Sequence, residues 1–216
     1  MTSRTPLPPI VTAGWGDIDT TATLIADAFY DLPAAAWLVP EPDQRSSALR
    51  GQFKVLIEHA LFYGHVDLLD DRSAVAVWFH HLGPTIPPYN YDQRLHAACG
   101  NHVNRFRHLD TLFDTHHPAE PHHHLGLLAV APAAQGTGRG TALLTHHHRY
   151  LDQVDIPAYL EASSPRSRDL YSRHGYHPRR VFTLPDNTPF WPMWRHPTTP
   201  STHIPQPPGP RSRRVP

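Results

Sequence analysis

Residues Leu127 to Leu144 read "LLAVAPAAQGTGRGTALL". An apolar run meets Pro132, three glycines follow at alternate positions, and the apolar spacing then becomes that of a helix. A strand-to-helix turn of this kind gathers backbone N–H groups and the positive end of a helix dipole at one point, which suits a phosphate. Two familiar phosphate loops fail on spacing. No lysine followed by serine or threonine closes the turn, as a nucleoside-triphosphate loop requires, and Gly136, Gly138 and Gly140 lack the dinucleotide-binding interval. Neither ATP nor NAD is expected. From the turn alone, a glycine-rich connection that holds no ligand is the competing reading.

The rest of the chain frames that turn. Its 216 residues suit a single α/β domain. Lys and Arg total 19, as do Asp and Glu, so no global field recruits nucleic acid or an anionic membrane. Any anion site is therefore local. Cys99 is the only cysteine, which excludes an intramolecular disulfide and a cysteine-based zinc finger and fits a reducing, cytoplasmic setting. No segment approaches the roughly 20 apolar residues of a membrane span, and the first residues lack the apolar core of a signal peptide. A soluble protein is expected. Residues 1–9 and the proline-dense stretch 197–216 cannot bury a core and are expected to be flexible, leaving 10–196 as the domain.

Within it, Ile18, Leu24, Ile25, Ala28 and Phe29 share one helical face, with Pro33 just past the end. "QRSSALRGQFKVLIEHALFYG" gives a second helix that stops at Gly64. "HVDLL" and "SAVAVWFH", separated by Asp70, Asp71 and Arg72, read as a hairpin. "YDQRLHAACGNHVNRFRHLDTLFDTHH" is helical in pattern but broken near Gly100. "HLGLLAV" has the nearly continuous apolar character of a strand covered on both faces. "GTALLTHHHRYLDQV" is a helix, "AYLEA" a strand, and "SPRSRDLYSRHGY" a short helix capped by Ser164 and stopped by Gly175. "RVFTL" and "PFWPMWR" close the domain as strands, the prolines placing the last near a sheet edge.

"VAPAAQGTGRGTALL" resembles the acetyl-CoA motif of the GNAT superfamily of N-acetyltransferases, Q/R-x-x-G-x-G/A, met here by Gln135, Gly138 and Gly140. The downstream Leu170, Tyr171, Gly175 and Tyr176 resemble its second signature, LYxxxGY/F. Within the superfamily, "SAVAVWF", "HPAEPHHHLGLLAVAPAAQGTGRG" and "IPAYLEASSPRSRDLYSRHGYHP" are similar to the puromycin N-acetyltransferase family of antibiotic-producing actinomycetes. The resemblance implies an α/β (α+β) fold, a single domain with a mixed, splayed sheet flanked by helices, and acetyl-CoA as donor. It implies that the backbone of Gln135, Gly136, Thr137, Gly138, Arg139, Gly140 and Thr141 holds the pyrophosphate. The strand edge Leu128, Ala129 and Val130 would pair with the pantetheine arm. Tyr171 would give a proton to the departing thiolate, and Glu161 would take one from the acceptor ammonium. The chain departs from its relatives at Thr137, where many carry a basic residue, and at Ser167, where a pantetheine-contacting asparagine is common. The segments that line the acceptor match poorly, so the acceptor itself does not carry over.

The 19 histidines include the runs 122–124 and 146–148 and the pairs 80–81 and 116–117. Neighbours on a strand point to opposite faces, and on a helix they diverge by about 100°. Runs are therefore poor preformed metal sites, and no metal is expected. His124 is a secondary acid/base candidate. Trp37, Trp78, Phe79, Tyr89, Tyr91, Trp191 and Trp194 either fill the core or line a pocket for an aromatic amine. The leading expectation is transfer of acetyl to a small-molecule amine by a monomer or homodimer, without nucleic acid or membrane as partner. A protein-modifying acetyltransferase and a non-catalytic acyl-CoA-binding module are the rivals. Both Glu161 and Tyr171 also admit plain structural roles, as a solvated or capping carboxylate and a core phenol.

Overall fold

The computed structural model describes residues 6–198. Its strands form one eight-stranded sheet in the order β1-β2-β3-β4-β5-β8-β6, with β7 also paired to β8. The strands are β1 (Ile10–Thr12), β2 (Gly64–Leu69), β3 (Ala74–His81), β4 (His122–Val130), β5 (Ala158–Ala162), β6 (His177–Pro178), β7 (Phe182–Thr183) and β8 (Pro189–Arg195). Helices α1 (Ile18–Phe29), α2 (Pro33–Leu38), α3 (Pro42–Tyr63), α4 (Tyr91–Cys99) and α5 (Val103–His116) cover one face. Helices α6 (Arg139–Val154) and α7 (Pro165–Arg173) cover the other. Alternation along β3 serves both cores: Val75 and Val77 face the first group of helices, while Ala74, Ala76 and Trp78 face the second.

Two irregularities of β4 position the site. Opposite β3, Val77 pairs with Leu127 and Trp78 with Leu125, so Gly126 is the extra residue of a β-bulge. The bulge reverses which face each side chain takes. Leu127 and Ala129 join the α1–α5 core, yet Leu125 joins the α6–α7 core, which turns His122 and His124 toward α5 and His123 toward α6. Gly126 is the residue the bulge admits, because a Cβ there would lie 2.4 Å from the Phe79 ring. On its other side β4 runs parallel to β5 only at His123 and His124, which pair with Ala158 and Tyr159. Beyond His124 the strands part, and the sheet is splayed as expected.

The fold adds detail that the sequence did not show. Pro33 does more than end α1, since it is the first residue of α2, where its missing N–H is harmless. Strand β8 lies next to an edge, as its prolines suggested: β5 flanks it on one side, and only the two-residue β6 and β7 pair with it on the other. Its Pro192 is tolerated because its carbonyl accepts from the Arg179 amide, so the absent N–H faces the gap between two-residue strands. The β4 residues 124, 126, 128 and 130 are only half-buried, because they meet a cleft and not a fully packed layer. Of the stretches expected to be flexible, 1–5 and 199–216 lie outside the described residues. Thr198 is anchored, its amide and hydroxyl donating to the Asp152 carboxylate at 2.9 and 2.8 Å. No helix among the described residues is long and apolar enough to cross a membrane.

Candidate active site

The parting of β4 from β5 opens a cleft of about 950 Å³. At one mouth stands the glycine turn. Gly136 and Gly138 adopt φ of +78° and +90°, the left-handed region that L side chains resist, and Gly138 is the N-cap of α6. Gly140 is already helical, and a Cβ on it would make ordinary contacts at 3.7 Å or more with Val130, Leu128 and Leu170. The amides of residues 136–141 donate to no other described residue. Six free N–H groups beside a helix N-terminus form the anion nest that the sequence suggested. Beyond His124, the edge of β4 that faces β5 is unpaired, which leaves backbone donors and acceptors for an extended ligand.

Side chains around the turn brace it. Arg139 Nε donates to Ser73 Oγ at 2.7 Å and Arg139 Nη1 to Thr137 Oγ1 at 2.7 Å. A weaker contact from Arg139 Nη2 to Asp71 extends to 3.4 Å. Arg166 reaches Gln135 Oε1 at 3.3 Å across the mouth. Ser164 caps α7, and Ser167 Oγ completes the reciprocal box by accepting from the Ser164 amide at 3.2 Å. The Ser167 hydroxyl is thus engaged in the cap while its residue lines the cleft.

Within the cleft, His124 Nε2 and Glu161 Oε2 are 2.7 Å apart, with side chains 12% and 3% exposed. The other carboxylate oxygen, Glu161 Oε1, is buried and has no partner among the described residues. A buried acceptor left open in a cleft is poised to take a proton or an N–H from a ligand. Tyr171, on α7, lines the same cleft and makes no side-chain hydrogen bond to a described residue. Burial raises its phenol above the ordinary value, so the O–H stays protonated as a donor.

Leu32, Phe53, Phe113 and Phe190 also line the cleft, with Asp27, Asp31 and Asp110. Burial lifts the Asp110 carboxyl to about 6, although Tyr91 Oη donates to it at 3.0 Å.

Residues 99–178 match the family described as acetyltransferase (GNAT) domain. A crystal structure described as histone acetyltransferase HPA2 and related acetyltransferase from Corynebacterium glutamicum is 30% identical. It aligns over 91% of this chain and 99% of its own with a TM-score of 0.69. The chain belongs to the GNAT acetyltransferase family. Two more distant structures share the fold of this GNAT protein. Arylalkylamine N-acetyltransferase 2 from Aedes aegypti is 13% identical over 88% of this chain and 99% of its own, TM-score 0.58. The C-terminal condensation domain of Ebony, bound to β-alanyl-dopamine, is 15% identical over 88% and 100%, TM-score 0.58. A GNAT domain is an acyltransferase whose donor is acetyl-CoA, and the free amides and open strand edge fit the phosphates and peptide-like arm of that molecule.

In this GNAT domain Gln135–Thr141, Leu128–Val130, Ser167, Tyr171, Glu161 and His124 all line one cleft, apart from Thr137 at its rim. Of the aromatic residues singled out in the sequence, only Phe79 lines it. Trp78 and Trp194 are core residues, and Tyr89 is 82% exposed. The chamber walls come instead from Phe29, Phe53, Phe113 and Phe190. These residues read as ordinary core positions of their elements, so no sequence signal separated them. Asp27, Asp31 and Asp110 were missed because nothing local distinguishes a cleft carboxylate from a solvated one.

Proposed function

We propose that this GNAT protein transfers acetyl directly from acetyl-CoA to the primary amine of a small molecule. The class is an antibiotic, an aminonucleoside or a biosynthetic intermediate, in keeping with the sequence resemblance to puromycin N-acetyltransferases. One observation carries the reading: the free amides, the His124–Glu161 pair and the acid-lined apolar chamber belong to one continuous cleft. Apolar walls with a few carboxylates suit an organic cation.

Acetyl-CoA supplies an activated thioester. The amides of residues 136–141 hold its pyrophosphate, with Gln135, Thr137 and Arg139 fixing the loop, and Leu128, Ala129 and Val130 pair with its arm. Ser167 keeps α7 and therefore Tyr171 in register through the cap. Glu161 Oε1 accepts a proton from the acceptor ammonium, and His124 orients that carboxylate from its far side. Tyr171 donates its phenolic proton to the leaving sulfur.

Calorimetry with acetyl-CoA, followed by thiol release over a panel of amines and peptides that includes puromycin, tests the reading. Saturable binding with release on a small amine is expected. The name of the Corynebacterium structure favours a second reading, a protein acceptor. Release on peptides alone would establish that second reading, and binding without release would leave only an acyl-CoA-binding module.

A further inference from the structure

The fold collects histidines that the sequence keeps apart. His81 ends β3, His117 follows α5 and His122 opens β4, and one ring nitrogen from each lies within 4.8 Å of the others. His81 and His122 are direct cross-strand partners, their rings parallel to within 3° at 5.1 Å. The His117 ring is 4.4 Å from that of His81 and 4.9 Å from that of His122. The expectation against metal rests on the divergence of neighbours within a run. These three histidines come instead from three separate segments.

Hydrogen bonding shows which atoms are free. His122 Nδ1 sits 2.7 Å from the Glu120 carbonyl, which can only accept, so that nitrogen carries the proton and Nε2 carries the lone pair. His122 is fully buried, and its Nε2 has no partner. His117 Nε2 is likewise buried and without a partner. A ring whose far nitrogen donates to a carbonyl while the near one presents a lone pair has the arrangement of a metal-ligating histidine.

We propose that His81, His117 and His122 form a site for a zinc-class divalent cation, tetrahedral, with its fourth position taken by water. Neutral imidazoles with no carboxylate among them select zinc, cobalt or nickel over magnesium or calcium. Tetrahedral Zn–N bonds of about 2.0–2.1 Å separate their nitrogens by roughly 3.3 Å, so closure from the present spacing requires small side-chain rotations. The ion would join the end of β3, the exit of α5 and the start of β4. His124, two residues along β4, lines the cleft and has its ring 5.0 Å from that of His117, so the site would brace that part of the cleft wall. This inference is independent of the acceptor and of acetyl transfer.

The test uses the full chain without an affinity tag, stripped by EDTA and titrated with Co²⁺ at neutral pH. Wild type is expected to bind one equivalent with the intense visible band of four-coordinate cobalt, displaced by Zn²⁺. His81→Ala and His117→Ala, both at half-buried rings, should weaken binding on the order of 100-fold or more. His146→Ala, at a half-exposed ring on α6, should bind as wild type. Far-UV circular dichroism of each variant guards against misfolding. As a second readout, Zn²⁺ should raise the Tm of wild type and His146→Ala but not of His117→Ala. Weak binding of several ions that the His81 and His117 changes leave intact would overturn the proposal, as would loss of binding in His146→Ala.

Discussion

Tyr171 concentrates the chemistry that one side chain can report. Tyr171→Phe removes an O–H and leaves the ring packed against Tyr176, with which it makes an edge contact at 5.8 Å. The expected outcome is a fall in kcat of about 100-fold with little change in acetyl-CoA affinity. Wild-type turnover would take Tyr171 out of the reaction. Glu161→Gln should also depress kcat by about 100-fold while the acceptor is mostly ammonium, and the deficit should shrink as rising pH deprotonates the acceptor, which a role only as the partner of His124 would not produce. Both residues were legible in the sequence, Tyr171 from its motif and Glu161 from its place at the end of "AYLEA". Their context was not. His124 and Glu161 are 37 residues apart, and only the register of β4 on β5, together with the Gly126 bulge, puts them in contact.

At the scale of an element, the glycine turn separates two kinds of glycine. Gly138→Ala forces a Cβ into φ +90° and should lower stability by about 1–2 kcal/mol while weakening acetyl-CoA binding. Gly140→Ala meets only ordinary contacts and gains helix propensity, so its Tm should equal or exceed that of wild type. Thermal melts of the two variants, with calorimetric titration of acetyl-CoA, check the pair. Ser164→Ala should cost about 1 kcal/mol through loss of the α7 cap, and should reduce kcat because Tyr171 rides on that helix. Caps, stops and periodicity are local, which is why α1, α3, α6, α7 and the β2–β3 hairpin were readable. Helix α2 and strand β6 are too short to show a period, and which short strands pair with β8 depends on residues that lie outside it.

For the whole molecule the histidines dictate the response to acid. Burial, reinforced by neighbouring positive groups, lowers His123 and His148 to about 3, and His81 and His122 to about 4. In the unfolded chain these rings take up protons near 6.5. Their folded values are depressed, so the unfolded state binds more protons between those limits, and stability falls as pH drops below 6.5. Each contributes a slope of about 1.4 kcal/mol per pH unit in that window. Asp110, raised by burial to about 6, acts in the opposite sense, since its contribution is present below 3.8 and lost as pH rises through 6. The histidines outnumber it. With a net stability of about 5–15 kcal/mol, the metal-free protein should unfold before reaching pH 4. Urea midpoints that stay level from pH 6.5 to 4.5 would contradict this, and His148→Leu should make the decline shallower.

By itself the sequence determined the family, the glycine turn and most long elements. Those features rest on short-range rules: glycine at positive φ, a capping serine, a helical or alternating apolar period. The tertiary structure alone decided the apolar part of the cleft, the His124–Glu161 contact and the gathering of His81, His117 and His122. Each of these joins residues from separate elements, and an inserted residue such as Gly126 changes which faces meet. A strand's faces alternate at every residue, so one bulge reassigns all the side chains on one side of it, and no local pattern records that choice.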